Sequence, residues 1–336
     1  MKRLLTLFAL LMLAGCSASK NNAQPPLAEA PRADESPAQA VADSLKQDVQ
    51  EPQGQYAHGG FFWKVSDSNS SVYLLGSVHF ADSSFYPLDT AITEAFFRSS
   101  ELGVELDMSD TAIIAEIMKQ SVVFGMLEAG KSLDKILPAD VQKSLDSLCA
   151  AWNLPVGILN RYKPWSAAMT LSSLAIQRKG YDPAFGIDFA FINAAHTAGK
   201  PIISLETVED QILALTGEGM PDSIGIFYMK STIQDLPLLD SSISTMVRAW
   251  KTGDISLFQA SMEMEMSPKD AKDSLLSKEL EERVYFVRNR KMAKTVEDLL
   301  AKDRSVFIVV GAAHLAGKDE SVIDLLRAKG FTVERK

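Results

Sequence analysis

Four short apolar runs constrain this chain more than any other feature of its sequence: Val72-Tyr73-Leu74-Leu75-Gly76, Leu102-Gly103-Val104-Glu105-Leu106, Pro201-Ile202-Ile203-Ser204-Leu205 and Val306-Phe307-Ile308-Val309-Val310. Each is too continuous for a half-exposed strand and too short for a core helix, so each reads as a strand buried on both faces. Each is followed by a polar turn and a helix-like stretch. Strands alternating with helices build an α/β domain with a largely parallel sheet and flanking helices. The region from about 108 to 285 is helical in pattern, with clear periods at 141–152, 165–178 and 243–266, and is expected to form a layer or cap. With 336 residues and 46% hydrophobic content, the chain can bury a large core.

In such a sheet His79, Glu105, Glu206 and His314 fall at or just after the C-terminal ends of four separate strands, the edge where open parallel sheets bind ligands. Two of these turns echo each other: Leu75-Gly76-Ser77-Val78-His79 and Val310-Gly311-Ala312-Ala313-His314 share strand, glycine, two residues and histidine. Imidazole and carboxylate are donors that suit a catalytic divalent metal, so the edge reads as a metal site or an acid–base site. The other histidines ask for less. His58 sits in a polar, glycine-rich entry to the domain, and His196 lies on a helix.

Several patterns have plainer readings. Gly125 to Ser132 fits the phosphate-loop expression, yet the residues before it look helical and Pro138 interrupts the stretch after it, so the strand–loop–helix context is missing. Met262, Met264 and Met266 alternate with glutamates, but on a helix Met264 faces away from the other two, which suits core filling better than copper. Cys149 lies in a helical apolar period and reads as core. Two cysteines are too few for a zinc ribbon or a disulfide framework. With 34 Lys and Arg against 43 Asp and Glu, the net charge of −9 argues against a nucleic-acid partner.

The first residues form a leader. Met1-Lys2-Arg3 is basic, Leu4 to Leu13 is apolar apart from Thr6, and Leu13-Ala14-Gly15-Cys16 fits a bacterial lipobox. Residues 1–15 are therefore expected to be a lipoprotein signal peptide, with Cys16 the lipidated N-terminus and residues 16–58 a proline-rich, disordered tether. The folded domain then spans 59–336. Ser17 after the cysteine, by resemblance to sorted lipoproteins, points to the outer membrane, with the domain facing the periplasm.

Tyr73 to His79, Val104-Glu105-Leu106-Asp107, Lys163-Pro164-Trp165, Gly186-Ile187-Asp188, Gly199-Lys200-Pro201 to Glu206 with Gln211, Arg288-Asn289 and Val310 to Gly317 together, in this order, resemble the TraB/PrgY/GumN family over about residues 60–336. Its relatives include the Tiki proteases, which resemble metal-dependent enzymes, and its fold is similar to the erythromycin-esterase and ChaN type. The resemblance implies that His79 and His314 are metal ligands, with Glu105 as their carboxylate partner. It implies Glu206 as a base or further ligand, and Arg288 with Asn289 as stabilisers of a developing oxyanion. A structural alternative pairs Arg288 with Glu206 or Asp188 and makes Glu105 a helix cap.

Two functions are expected on these grounds. One is a lipid-anchored, metal-dependent hydrolase, a peptidase acting on a peptide or protein with Mn, Co or Zn. The other is a non-catalytic lipoprotein that sequesters a peptide or signalling factor, as the pheromone-shutdown relatives suggest. Nothing after the leader is apolar and long enough to span a bilayer, so Cys16→Ala is expected to move the protein out of the membrane fraction. Membrane retention of that variant with its leader removed would overturn the anchor.

Overall fold

The structure, a computed structural model, describes residues 59–216, 222–263 and 271–336. The leader, Cys16, the tether to residue 58, His58, Met264 and Met266 lie outside the described residues.

Six strands form one sheet: β1 (Phe61–Ser66), β2 (Ser71–Ser77), β3 (Glu101–Val104), β4 (Ile202–Ser204), β5 (Val306–Gly311) and β6 (Thr332–Arg335), in the order β4-β3-β5-β2-β1-β6. The four strands read from the sequence are mutually parallel, with Leu75 beside Val309, Val104 beside Val309, and Gly103 beside Ile203. β5 lies inside this block, and all six of its residues are buried, which explains its unbroken apolar run. β1 and β6 extend the sheet by antiparallel pairing. Sequence reasoning missed both, because β6 is polar and half-exposed and β1 lies in the entry to the domain.

The helices are α1 (Thr90–Arg98), α2 (Thr111–Gly125), α3 (Ala139–Ala151), α4 (Pro164–Gln177), α5 (Ile187–Thr197), α6 (Val208–Thr216), α7 (Asp222–Asp235), α8 (Leu239–Thr252), α9 (Ile255–Glu263), α10 (Ala271–Glu281), α11 (Val287–Ala301), α12 (Ala312–Ala316) and α13 (Val322–Ala328). A turn of π-helix, Glu282–Phe286, joins α10 to α11. Several begin where polar chemistry favours it: the Asp89 and Asp110 side chains accept the Ala91 and Ala112 amides, and Pro164 opens α4 at a position needing no N–H donor. The single helix expected over 243–266 is two over its described residues, which end at Glu263. Gly253, at φ 65, caps α8 in the left-handed region and α9 starts afresh.

Aromatic contacts define the two faces of the sheet. Phe96 of α1 and Phe191 of α5 pack against Phe307 of β5, with ring centroids 5.7 and 5.0 Å away. On the other face Phe258 of α9 meets Phe61 at 4.8 Å, and α12 crosses so close that a Cβ on Gly76 would lie 2.9 Å from the Ala312 Cα. The sheet is bolted to α8 by the Trp250 indole, whose Nε1 donates to the Gly76 carbonyl at 2.7 Å. Across the Phe61 face, Arg335 lies over Trp63 with its guanidinium 4.4 Å from the ring and donates to the Gly60 carbonyl.

The plain readings of the motifs hold where they can be seen. Residues before Gly125 are helical, and Lys131 is exposed beside Glu128. Cys149 is fully buried with its thiol pushed up by burial, and Met262 packs in the core. Because the crossing of α12 over β2 depends on a missing side chain, Gly76→Ala is expected to cost about 1–3 kcal/mol through overpacking. Urea unfolding would detect that loss, and an unshifted midpoint would show that α12 can move aside.

Candidate functional site

The parallel strands deliver their side chains to one edge. His79 follows β2, Glu105 follows β3, Glu206 follows β4, and His314 sits on α12, which begins where β5 ends. All four are buried, His314 completely. The ends of β3 and β4 stay in step past the strands themselves, with the Leu205 amide donating to the Val104 carbonyl and the Glu206 amide to the Glu105 carbonyl. The two glutamates are therefore neighbours by backbone geometry.

Between them lies the guanidinium of Arg288, from the first turn of α11. Its Nη2 donates to Glu105 Oε2 at 2.7 Å and to Glu206 Oε2 at 2.6 Å, and its Nε donates to Glu206 Oε1 at 2.8 Å. Gln211 of α6 adds its Nε2 to both carboxylates, 3.3 Å from Glu105 and 3.2 Å from Glu206. Glu105 turns its other oxygen, Oε1, to the Gly311 amide at 2.7 Å. One carboxylate thus ties the ends of β3 and β5 together. Burial opposes the charge on Arg288, but Glu206 and then Glu105 outweigh it and hold the guanidinium protonated beyond its usual range. The pairing of Arg288 with Glu206 is the contact seen here.

The histidines are held differently. His79 Nδ1 lies 3.3 Å from Asp188 Oδ2. Asp188 is there because α5 starts against the β2 turn: the Ile187 amide donates to the Val78 carbonyl, and Gly186 passes so near that a Cβ would sit 2.6 Å from the His79 carbonyl oxygen. His314 Nδ1 meets Asn289 Oδ1 at 2.6 Å, and the Asn289 amide nitrogen donates to the Glu320 carbonyl at 2.9 Å. These partners set opposite electrostatics. Burial alone would lower both imidazoles; at His79 Asp188 overcomes it and the pKa rises, whereas at His314 burial is reinforced by Arg288 and the pKa falls well below the ordinary value.

His79 Nδ1, although 3.3 Å from Asp188, makes no well-aligned hydrogen bond, and beyond it two buried nitrogens have no hydrogen-bond partner, His79 Nε2 and His314 Nε2. They converge on Gly311, where a Cβ would lie 3.2 Å from Glu105 Oε1, 3.4 Å from His79 Nε2 and 3.6 Å from His314 Cδ2. The side chain that glycine lacks is the space these donors share. His314 Nε2 is 3.9 Å from Glu105 Oε1. As the side chains stand, no three His, Cys, Asp or Glu among the described residues form a group spaced to hold a metal ion.

The structure therefore brings together His79, Glu105, Glu206, Arg288, Asn289 and His314. His196 lies apart on α5, where it contacts Ser109. Gln211 stands in the sequence motifs with no part assigned to it, and Asp188, considered there only as a partner of Arg288, pairs with His79 instead. Asp188 could have been found from the glycine before Ile187-Asp188, since that glycine marks a backbone pressed against another segment. The Gly311 amide carried no signal, because a backbone donor has no residue type.

The family described as TraB/PrgY/gumN matches residues 61–335. The chain is 25% identical to the uncharacterized protein YbaP of Escherichia coli (strain K12) over 264 residues, covering 77% of this chain and 90% of that one. It is 22% identical over 271 residues to an uncharacterized protein of Treponema pallidum (strain Nichols), covering 80% of each. A protein named metalloprotease TIKI homolog, from Amphimedon queenslandica, is 21% identical over 320 residues, covering 82% of this chain and 61% of its own length. No solved structure matches.

Removing one member of a buried ionic cluster strands the others. Arg288→Met is accordingly expected to cost about 3–5 kcal/mol, and adding Glu105→Gln and Glu206→Gln to restore part of it. Urea unfolding of the single and triple variants checks this; a single variant as stable as the parent would mean that the carboxylates do not need the guanidinium.

Proposed function

The chain belongs to the TraB/PrgY/GumN family, and on that premise we propose that it is a metal-dependent hydrolase, a peptidase by kinship with the Tiki homologue. Its substrate is a peptide or protein. By its leader it is a lipoprotein anchored through Cys16 in the outer membrane and facing the periplasm. Among the described residues no helix is long and apolar enough to cross a membrane.

The observation that carries the reading is the pair of bare imidazole nitrogens beside Glu105 Oε1 in the space left by Gly311. Buried polar atoms normally have partners, and two orphans facing one space call for an acceptor of their lone pairs. Charge argues the same way. With Asp188 set beside His79, Glu105 and Glu206 share the one guanidinium of Arg288, two carboxylates against one fixed cation, and an uncompensated buried charge is costly. A divalent cation would offset it, and imidazole with carboxylate suits Mn, Co or Zn.

His79, His314 and Glu105 would hold the ion, leaving positions open for substrate. Bound there, it supplies a water-derived nucleophile at neutral pH and polarises a carbonyl. The chain's own contribution is orientation and charge. Asp188 and Asn289 aim the two imidazoles, as carboxylate and amide partners do behind metal-binding histidines. Arg288 neutralises the second oxygen of Glu105 and both oxygens of Glu206 and gives Nη1 to the Val284 carbonyl, and Asn289 gives its amide nitrogen to the Glu320 carbonyl, so the pair expected to stabilise an oxyanion instead orders the carboxylates and His314. Glu206 anchors Arg288 and is the carboxylate assigned to proton transfer.

The test is metal content together with cleavage of a peptide library, read by mass spectrometry, for protein loaded with Mn²⁺, Co²⁺ or Zn²⁺. The parent is expected to bind metal and to cleave, the His79→Ala/His314→Ala variant to do neither, and Glu206→Gln to keep metal and lose turnover by about 10²-fold or more. Equal metal content in the parent and the double variant, or none in the parent with any of the three ions, would leave the sequestering lipoprotein as the better account.

A further inference from the structure

The two site histidines reach the same end, a free Nε2, by different routes. His79 faces a carboxylate, which can only accept, so the proton belongs on Nδ1. His314 faces the side-chain amide of Asn289, whose oxygen accepts and whose nitrogen donates, so the amide alone does not decide the tautomer. Something else must fix which way Asn289 points.

That something is the carbonyl of Glu320. It accepts from Asn289 Nδ2 at 2.9 Å, and a carbonyl can do nothing else, so the amide nitrogen is turned to it and Oδ1 is turned to His314 Nδ1, 2.6 Å away. An oxygen there requires the proton on Nδ1, which leaves the lone pair on Nε2, the ring nitrogen that has no hydrogen-bond partner. With the amide reversed, Oδ1 would face the Glu320 carbonyl oxygen, two acceptors in contact, and His314 would present a proton to the space beside Gly311 instead of a lone pair.

We propose that the Glu320 carbonyl sets the tautomer of His314 through the Asn289 amide, making Glu320 a positioning residue of the site. The loop is built for this. Glu320 sits at φ 43, in a region that L-residues seldom occupy. It is pinned on both sides: the Gly317 amide donates to the Ala313 carbonyl at the end of α12, and Ser321 caps α13 through Asp324. The Glu320 carboxylate also pairs with Arg290, which reaches Glu282 of the π-turn, but these groups are exposed and such pairs contribute little. The backbone conformation is the operative feature.

The inference rests on the metal-site reading for its purpose, while its test can be made without metal. The chain has four histidines, so ¹⁵N-histidine labelling and two-bond ¹H–¹⁵N correlation can assign each imidazole by single substitution. In metal-free parent protein, His314 is expected as the Nδ1–H tautomer. Glu320→Gly keeps the left-handed backbone and should keep that tautomer. Glu320→Val cannot hold the conformation, and should shift His314 toward the other tautomer and weaken Co²⁺ or Zn²⁺ binding about 10–100-fold. Adding Asn289→Asp to Glu320→Val supplies an acceptor that needs no orienting, and should restore the Nδ1–H form.

A parent tautomer in Glu320→Val, an equal loss in Glu320→Gly, or no recovery in the Glu320→Val/Asn289→Asp double variant would each overturn the proposal, the last by exposing a general loss of structure. The expected tautomers in every variant, with no metal bound by any of them, would uphold it and overturn the metallohydrolase reading instead.

Discussion

The site depends first on a guanidinium buried between two glutamates. Arg288 reaches Glu105 and Glu206 with three hydrogen bonds, and those glutamates stand at the ends of neighbouring strands. Without it, two carboxylates would face each other out of reach of water, an arrangement that forces a shared proton or drives the strand ends apart. With it, the C-terminal edge of β3 and β4 becomes a fixed platform, and the Gly311 amide on Glu105 Oε1 extends that platform to β5. The same interactions explain why α11 must lie where it does. A π-turn placed immediately before Val287 brings Arg288 and Asn289 onto the site together, and such turns are frequent where a helix must serve a functional position.

The second feature is an asymmetry within an apparent repeat. Two turns of the same pattern, strand, glycine, two residues and histidine, present imidazoles to one space, yet one is backed by a carboxylate and the other by an amide. The carboxylate makes His79 easier to protonate and the amide leaves His314 to burial and Arg288, which make it harder. The two imidazoles of one site are thus pushed in opposite directions. That difference comes from the surroundings, since the residue type is the same.

Glycine has a distinct part at each turn. Gly76 lets α12 cross against β2, Gly186 lets α5 start against the His79 carbonyl, and Gly311 leaves the space that the donors share. None of the three is at positive φ, so each is there for close approach rather than for backbone freedom. Close approach is a tertiary property. A glycine in a sequence announces a special position without saying what will press against it.

The four parallel strands, the edge they present and the residues His79, Glu105, Glu206 and His314 at that edge were legible in the sequence, because unbroken apolar runs report double burial and a strand's end fixes where the next residues emerge. The polar strand β6, the entry strand β1 and the division of 243–266 at Gly253 were not, because their signals are exposed or local. The tertiary structure alone decided that Arg288 spends its donors on two carboxylates, that Asp188 and Asn289 stand behind the histidines, and that a loop carbonyl orients an amide. Those contacts join residues from 25 to 183 positions apart. Sequence periodicity records which face of an element is buried; which polar atom meets which across that distance is settled only when the elements pack, because a hydrogen bond needs its partner within about 3 Å and in the right direction.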